Sequence, residues 1–138
     1  MKLIALIVCA TALFYAVAAQ HGPAAVPKAQ SHVVAAASFS WANTVYDFGS
    51  IRAAIPVSYE FRFVNTGVVP LVITSAKVSC GCTIAAYTRE PVEKGKAGIV
   101  RVRYDAAQAG KFSKTVTVTA NTPEAPVILT IQGEVVAN

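Results

Sequence analysis

Apolar and polar residues alternate along much of this chain from residue 44 to its C-terminal end. The clearest run sets four large apolar side chains against three polar ones, namely Val57, Tyr59, Phe61 and Phe63 against Ser58, Glu60 and Arg62. A period of two is typical of a strand that buries one face, because successive side chains point to opposite sides. We therefore expect a strand at 57–63 with its aromatic side chains in a core.

Four further segments predict strands, at 68–78, 99–104, 112–120 and 126–136. The side chains expected inside are Leu71, Ile73, Val100, Val102, Tyr104, Val116, Val118, Val127, Leu129 and Ile131, while Arg101, Arg103, Thr115, Thr117 and Thr119 face water. Turns are expected at 93–96, at 107–110 and at Asn65-Thr66-Gly67, where glycine tolerates positive φ. After residue 43 the sequence shows no apolar stripe of helical period.

Short strands separated by turn signals predict an all-β fold. We expect an Ig-like antiparallel sandwich of two sheets and about seven strands over 43–138, a length typical of such domains. Residues 20–42 contain prolines and many alanines without a sustained period, so they are interpreted as a flexible arm or linker.

The first 19 residues have the pattern of a secretory signal peptide. Met1-Lys2 supplies a positive start, residues 3–19 are uncharged and mostly apolar, and the segment ends in small residues. Cleavage is expected after Ala18 or Ala19. The alternative is that the segment stays uncleaved as an anchor, because 17 residues is about the shortest length that spans a bilayer. After cleavage we expect a periplasmic or secreted protein with no stable membrane span.

The formal net charge of +5 is spread along the chain. Lysines and arginines form no stripe, so the sequence predicts no nucleic-acid partner. A basic protein of this kind is attracted to anionic envelope surfaces.

Cys80-Gly81-Cys82 is the segment with the most reactive chemistry. Side chains at i and i+2 of a strand share a face, but their Cα atoms would lie about 6.6 Å apart in an extended strand, near the limit for a disulfide. Gly81 can bend the backbone and shorten that gap. Three alternatives stay open for Cys80 and Cys82: a local disulfide or packing role, a redox dithiol, and a two-coordinate Cu(I) site.

The domain carries few groups for acid–base catalysis. His21 and His32 are the two histidines, and both precede residue 43, so the sandwich has no imidazole of its own. This argues against Ser-His and Cys-His nucleophilic pairs. Asp47, before Phe48-Gly49, is interpreted as a turn residue and Glu60 as part of a solvated strand face. We expect no catalytic residues, no cofactor and no enzymatic activity.

Seven segments carry a resemblance to a known family. They are Tyr46-Asp47-Phe48-Gly49-Ser50-Ile51, Phe61-Arg62-Phe63-Val64-Asn65-Thr66-Gly67, Pro70-Leu71-Val72-Ile73, Ser79-Cys80-Gly81-Cys82-Thr83, Tyr104-Asp105, Gly110-Lys111-Phe112-Ser113-Lys114 and Leu129-Thr130-Ile131-Gln132-Gly133-Glu134-Val135. In this order they resemble the bacterial family called domain of unknown function 1573, with Lys94-Gly95 in place of its usual Pro-Gly. The resemblance implies an exported or periplasmic Ig-like domain and implies no reaction.

The sequence therefore predicts a non-enzymatic module of the cell envelope that binds another protein. Pairing at a free sheet edge is the expected mode, because an open sandwich offers unpaired backbone N–H and C=O groups. The segment 127–135 is the candidate edge strand. The alternative is thiol redox chemistry or Cu(I) handling by Cys80 and Cys82.

Overall fold

The structure, a computed structural model, describes residues 35–137, and these form eight strands in two four-stranded sheets. The strands are β1 (Phe39–Trp41), β2 (Val45–Arg52), β3 (Val57–Asn65), β4 (Ile73–Val78), β5 (Thr83–Tyr87), β6 (Ala97–Tyr104), β7 (Gly110–Ala120) and β8 (Val127–Val136). Within 35–137 there is no helix. The predicted all-β sandwich is confirmed, with eight strands instead of about seven.

Sheet A has the strand order β1-β3-β6-β5, and sheet B has the order β2-β8-β7-β4. All neighbours are antiparallel except β2 and β8, which run parallel. The expected edge position of segment 127–135 is wrong, because β8 lies between β2 and β7. Among the described residues the sheet edges are instead β1 and β5 in sheet A and β2 and β4 in sheet B.

The core draws side chains from both sheets. The alternation along β6 is as predicted, with Val100, Val102 and Tyr104 buried and Arg101 and Arg103 exposed. The other large side chains that are almost fully buried are Phe61, Phe63, Leu71, Leu129, Ile131, Val116, Val118 and Val135. The aromatic residues of the alternating run therefore serve the core, as their spacing predicts.

The sandwich begins before residue 43, where the sequence placed its start. Ala37 is completely buried, and β1 pairs with β3. The rings of Phe39 and Trp41 lie 4.9 and 5.1 Å from that of Phe63, centroid to centroid, so the last part of the predicted arm is core. The signal-peptide residues, including Ala18 and Ala19, and the arm up to residue 34, with His21 and His32, lie outside the described residues.

Gly67 is required for a different reason from the one expected. Its φ is not positive; instead, a Cβ atom there would lie 2.6 Å from the Cα of Ala37. The turn after β3 therefore uses glycine to let the segment before β1 pass close by. The 93–96 turn is confirmed, with Gly95 at φ 76° and the Lys96 N–H donating to the Glu93 carbonyl over 2.9 Å.

No helix long and apolar enough to cross a membrane occurs between residues 35 and 137.

Candidate functional site: the β4–β5 turn and the free edge of β5

The two cysteines are joined by a disulfide in the turn between β4 and β5. The Cα atoms of Cys80 and Cys82 are 5.4 Å apart, and the Thr83 N–H donates to the Cys80 carbonyl over 3.3 Å. The pair thus occupies a tight turn and not an extended strand, which removes the spacing problem that the sequence raised. Gly81 lies at the exposed tip, its φ is not positive, and a Cβ there would meet no atom within 4 Å, so the expected need for glycine in this bend is not seen.

Both sheets hold this turn in place. The Asp105 N–H, just after β6, donates to the Cys82 carbonyl over 3.1 Å. On the other side, Ser79 and Thr115 of β7 exchange two hydrogen bonds, of 3.0 and 3.1 Å. The turn therefore carries the chain from the edge of sheet B to the edge of sheet A.

The disulfide is half-buried, and both of its sulfurs lie near the hydroxyl of Thr83. That oxygen lies 3.7 Å from the Cys80 sulfur and 3.9 Å from the Cys82 sulfur. In this state neither sulfur is a thiolate, so Cu(I) binding would require prior reduction by two electrons. Residues 35–137 contain no cluster of three or more His, Cys, Asp or Glu suited to a metal.

The strand that follows the disulfide has one unpaired edge among the described residues. β5 pairs with β6 on one side, and no strand within 35–137 pairs with its other side. The hydrogen bonds from the Thr88 N–H to the Ile99 carbonyl and from the Asp105 N–H to the Cys82 carbonyl show which residues face β6. The side toward which a residue's N–H and C=O groups point alternates along an antiparallel strand. Since these groups of the even-numbered residues point toward β6, those of Ala85 and Tyr87 point away from it, to the unpaired side.

The other three edges carry features that limit pairing. β1 has only three residues, and β2 and β4 are each interrupted by a register shift, at 47–50 and 73–75. In addition, β4 carries the exposed Lys77. Short length, bulges and lysines are the devices by which sheets avoid adding strands. β5, Thr-Ile-Ala-Ala-Tyr, is regular and uncharged, and its Ile84 is 63% exposed.

Arginines dominate the outer face of sheet A next to this edge. Register places Arg103 beside Ile84 and Arg101 beside Ala86. Arg101 Nε donates to a Glu60 carboxylate oxygen over 2.9 Å. This hydrogen bond, together with the charges of Arg101 and Arg62, lowers the pKa of Glu60 and outweighs burial, which acts in the opposite direction. Arg103 has no ion pair among residues 35–137.

On the other sheet, an open cleft of about 410 Å³ lies across β2, β8 and β7 and is lined mainly by polar groups. Its Asp47 accepts hydrogen bonds from the Gly49 N–H at 2.7 Å and the Gln132 amide at 3.1 Å. First the Gly49 bond and then the Gln132 bond lower the Asp47 pKa. The backbone hydrogen bond expected of Asp47 is present, but it lies at the bulge within β2, where Gly49 has φ 67°, and not in a turn between strands.

Sequence reasoning found the cysteines but missed the edge beside them. Ile84, Ala85 and Ala86 gave little apolar–polar contrast, because alanine fits either face of a strand. The available signal was an isoleucine in a short uncharged segment directly after the Cys-Gly-Cys turn. This signal identifies an edge strand only when the sheet order is known, with β6 as the one neighbour of β5 among the described residues.

Comparison with known proteins agrees with the fold. The chain matches the model of a family described as a protein of unknown function, DUF1573, over residues 39–135. No curated protein matches the sequence.

Solved structures that are similar in fold include the following three. A protein of unknown function from Porphyromonas gingivalis W83 aligns with a TM-score of 0.65 and 17% identity over 73% of this chain and 49% of that one. The chain thus spans about half the length of that protein. An ASH/PapD-like domain of human CEP192 aligns with a TM-score of 0.59 and 9% identity, over 75% of this chain and 88% of that one. The Vibrio cholerae VesB protease aligns with a TM-score of 0.53 and 18% identity, over 72% of this chain and 32% of that one. At these identities the likeness concerns the fold alone.

Proposed function

The chain belongs to the DUF1573 family, and we propose that it is an exported, non-enzymatic Ig-like module of the bacterial cell envelope that binds another protein. One observation carries this proposal: β5 is a regular, uncharged strand whose outer backbone groups are unpaired among the described residues. An added strand would satisfy the N–H and C=O groups of Ala85 and Tyr87, which is the physical basis of recognition by strand addition.

The disposition of the polar groups supports a binding role over a catalytic one. Asp47 is committed to the Gly49 N–H and to Gln132, and Glu60 to two arginines. Residues 35–137 contain no histidine, so a general base near neutral pH would have to come from elsewhere. The +5 charge and the expected signal peptide support placement at an anionic envelope, periplasmic or secreted.

Site-specific photo-cross-linking tests this function. A photoreactive amino acid is placed at Ile84, on the free edge, or at Ile128, which is 58% exposed but lies on the interior strand β8. In cells that export the full chain we expect a discrete adduct from position 84 and none from 128. Equal adducts from both positions, or none from 84, would refute binding at this edge. The mass of the purified protein tests export as well, with an expected N-terminus at Ala19 or Gln20.

Thiol exchange is a second candidate, favoured by the position of the Cys80–Cys82 disulfide in a half-buried turn. A thiolate of a dithiol protein would attack one sulfur and form a mixed disulfide, while the other cysteine leaves as a thiolate. The partner's second thiol would then displace this chain, which is released as the dithiol, and the partner becomes the disulfide.

Equilibration of the protein in redox buffers, read by thiol alkylation, tests the exchange function. If the protein is fully reduced at the redox potential of an oxidising compartment, it has no disulfide to exchange there. If the disulfide resists excess dithiothreitol, its role is structural. A potential between these limits supports exchange. Cu(I) binding is measured on the reduced protein, with Cys80→Ser and Cys82→Ser as controls.

A further inference from the structure

The outer face beside β5 contains a small apolar depression. It has a volume of about 170 Å³ and is lined by Ala86, Tyr87, Thr88, Ile99 and Arg101. The depression forms at Ala86, because its methyl group is much shorter than the side chain of Arg101, its neighbour across the sheet on β6. A strand added to β5 in either direction places alternate side chains on this face. An apolar side chain next to Ala86 would fill the depression and lose contact with water.

The charge of the same face selects among partners. Register and exposure place Arg62, Arg101 and Arg103 on it with a single carboxylate, Glu60, which already contacts Arg62 and Arg101. Arg103 lies one strand from β5 and therefore about 10 Å, two strand spacings, from a strand added beyond it. Arginine and glutamate side chains together span that separation, with Ile84 between them. A carboxylate there would meet an arginine that has no ion pair among the described residues.

We infer that the occupant of the β5 edge is an extended, acidic segment of another protein, with an apolar side chain over Ala86 and a carboxylate within reach of Arg103. This inference rests on the proposed function and adds the chemistry of the partner. A second copy of this chain fits less well. It could place its own Ile84 over Ala86, but it would bring a second set of arginines to the same face, and each copy is basic, with a formal charge of +5 for the full chain.

Three labelled synthetic peptides test the chemistry with the full chain. Each alternates threonine with the outward residues Glu-Leu-Glu, Lys-Leu-Lys or Glu-Ser-Glu, and binding is followed by fluorescence anisotropy at low and moderate salt. We expect the Glu-Leu-Glu peptide to bind about tenfold more tightly than either of the others, the size of one well-placed contact. The preference over Lys-Leu-Lys should weaken with salt.

Variants assign the two parts of that preference. Arg103→Gln should reduce the advantage of glutamate over lysine, whereas Arg52→Gln, an exposed arginine on β2, is the matched control and should leave it unchanged. Ala86→Leu fills the depression and should weaken binding of Glu-Leu-Glu while sparing Glu-Ser-Glu. Ala85→Pro removes an outward N–H and should weaken all three peptides.

The outcomes separate this inference from the proposed function. If the three peptides bind equally and Ala85→Pro abolishes binding, the edge binds strands but its chemical selectivity is refuted. If no peptide binds while position 84 still forms a protein adduct, the acidic segment is refuted and protein binding stands. Absence of both signals refutes both. A dimer in sedimentation that Ile84→Lys dissociates would identify a second copy as the occupant and overturn the inference.

Discussion

Replacing Asn65 by alanine should be among the most damaging polar substitutions in the sandwich. Asn65 ends β3, is 0% exposed, and uses all four hydrogen-bonding positions of its amide. Its Oδ1 accepts from the Ser38 and Gly67 N–H groups at 3.3 and 2.9 Å, and its Nδ2 donates to the Val69 and Val92 carbonyls at 2.7 and 2.9 Å. One side chain thus joins the segment before β1 to two loops.

The magnitude follows from these four bonds. Each contributes about 0.5–1.5 kcal/mol net, and an N–H left unpaired adds a desolvation cost. The Val92 carbonyl keeps a second donor, the Leu71 N–H at 2.9 Å, so its loss is partial. We expect Asn65→Ala to lower the free energy of unfolding by about 3 kcal/mol, a large part of the roughly 5–15 kcal/mol typical of a domain.

Urea unfolding followed by the fluorescence of Trp41, which packs 5.1 Å from the Phe63 ring, measures the change. Asn121→Ala is the matched control. Asn121 makes two bonds, from the Val72 N–H and to the Pro70 carbonyl, at an exposed position, so its loss should cost about 1 kcal/mol. A loss for Asn65→Ala no larger than for Asn121→Ala, at unchanged m-value, would contradict the argument.

Two further predictions concern acid and reductant. The pKa values of Asp47 and Glu60 are lower in the folded protein than in the unfolded chain, so the two carboxylates stabilise the fold above their unfolded pKa values. This stabilisation is lost as the pH falls through the folded pKa values. Asp47→Asn and Glu60→Gln should therefore flatten the acid side of a plot of urea midpoint against pH, and an unchanged slope would contradict this linkage. Reduction of Cys80–Cys82 should lower the free energy of unfolding by no more than about 1.6 kcal/mol, because the closed loop is so short; a larger drop in the urea midpoint would show that the disulfide supports the sandwich beyond this turn.

The strands that sequence revealed are those with strong contrast between their faces. β3 and β6 alternate large apolar side chains with charged ones, so their buried faces follow from the period of two. β1 is too short to show a period, and β5 contains two alanines, which give no contrast. Both lie at edges of sheet A, so the weakest sequence signals fell where the candidate binding edge is.

The order of strands in a sheet depends on partners that are distant in sequence. β8 is interior because β2 adds to it in parallel, with Val45 opposite Thr130. An alternating pattern states which face of a strand is buried, but it contains no information on which backbone edge is paired. The chain therefore predicts a sandwich with an edge available for binding, while the identity of that edge had to come from the structure.

The Cys-Gly-Cys turn and the β5 edge share one structural element, and this makes the two candidate functions separable. Thr83 opens β5, its N–H bonds to the Cys80 carbonyl, and its C=O lies on the outward side. The disulfide thus fixes the first residue of the edge strand without taking part in the outward bonds of Ala85 and Tyr87. If Cys80→Ser with Cys82→Ser still cross-links through position 84, strand addition is the function and the disulfide holds a turn. If the adduct disappears while the variant unfolds at the urea concentration expected from loop closure alone, binding requires the sulfur chemistry itself.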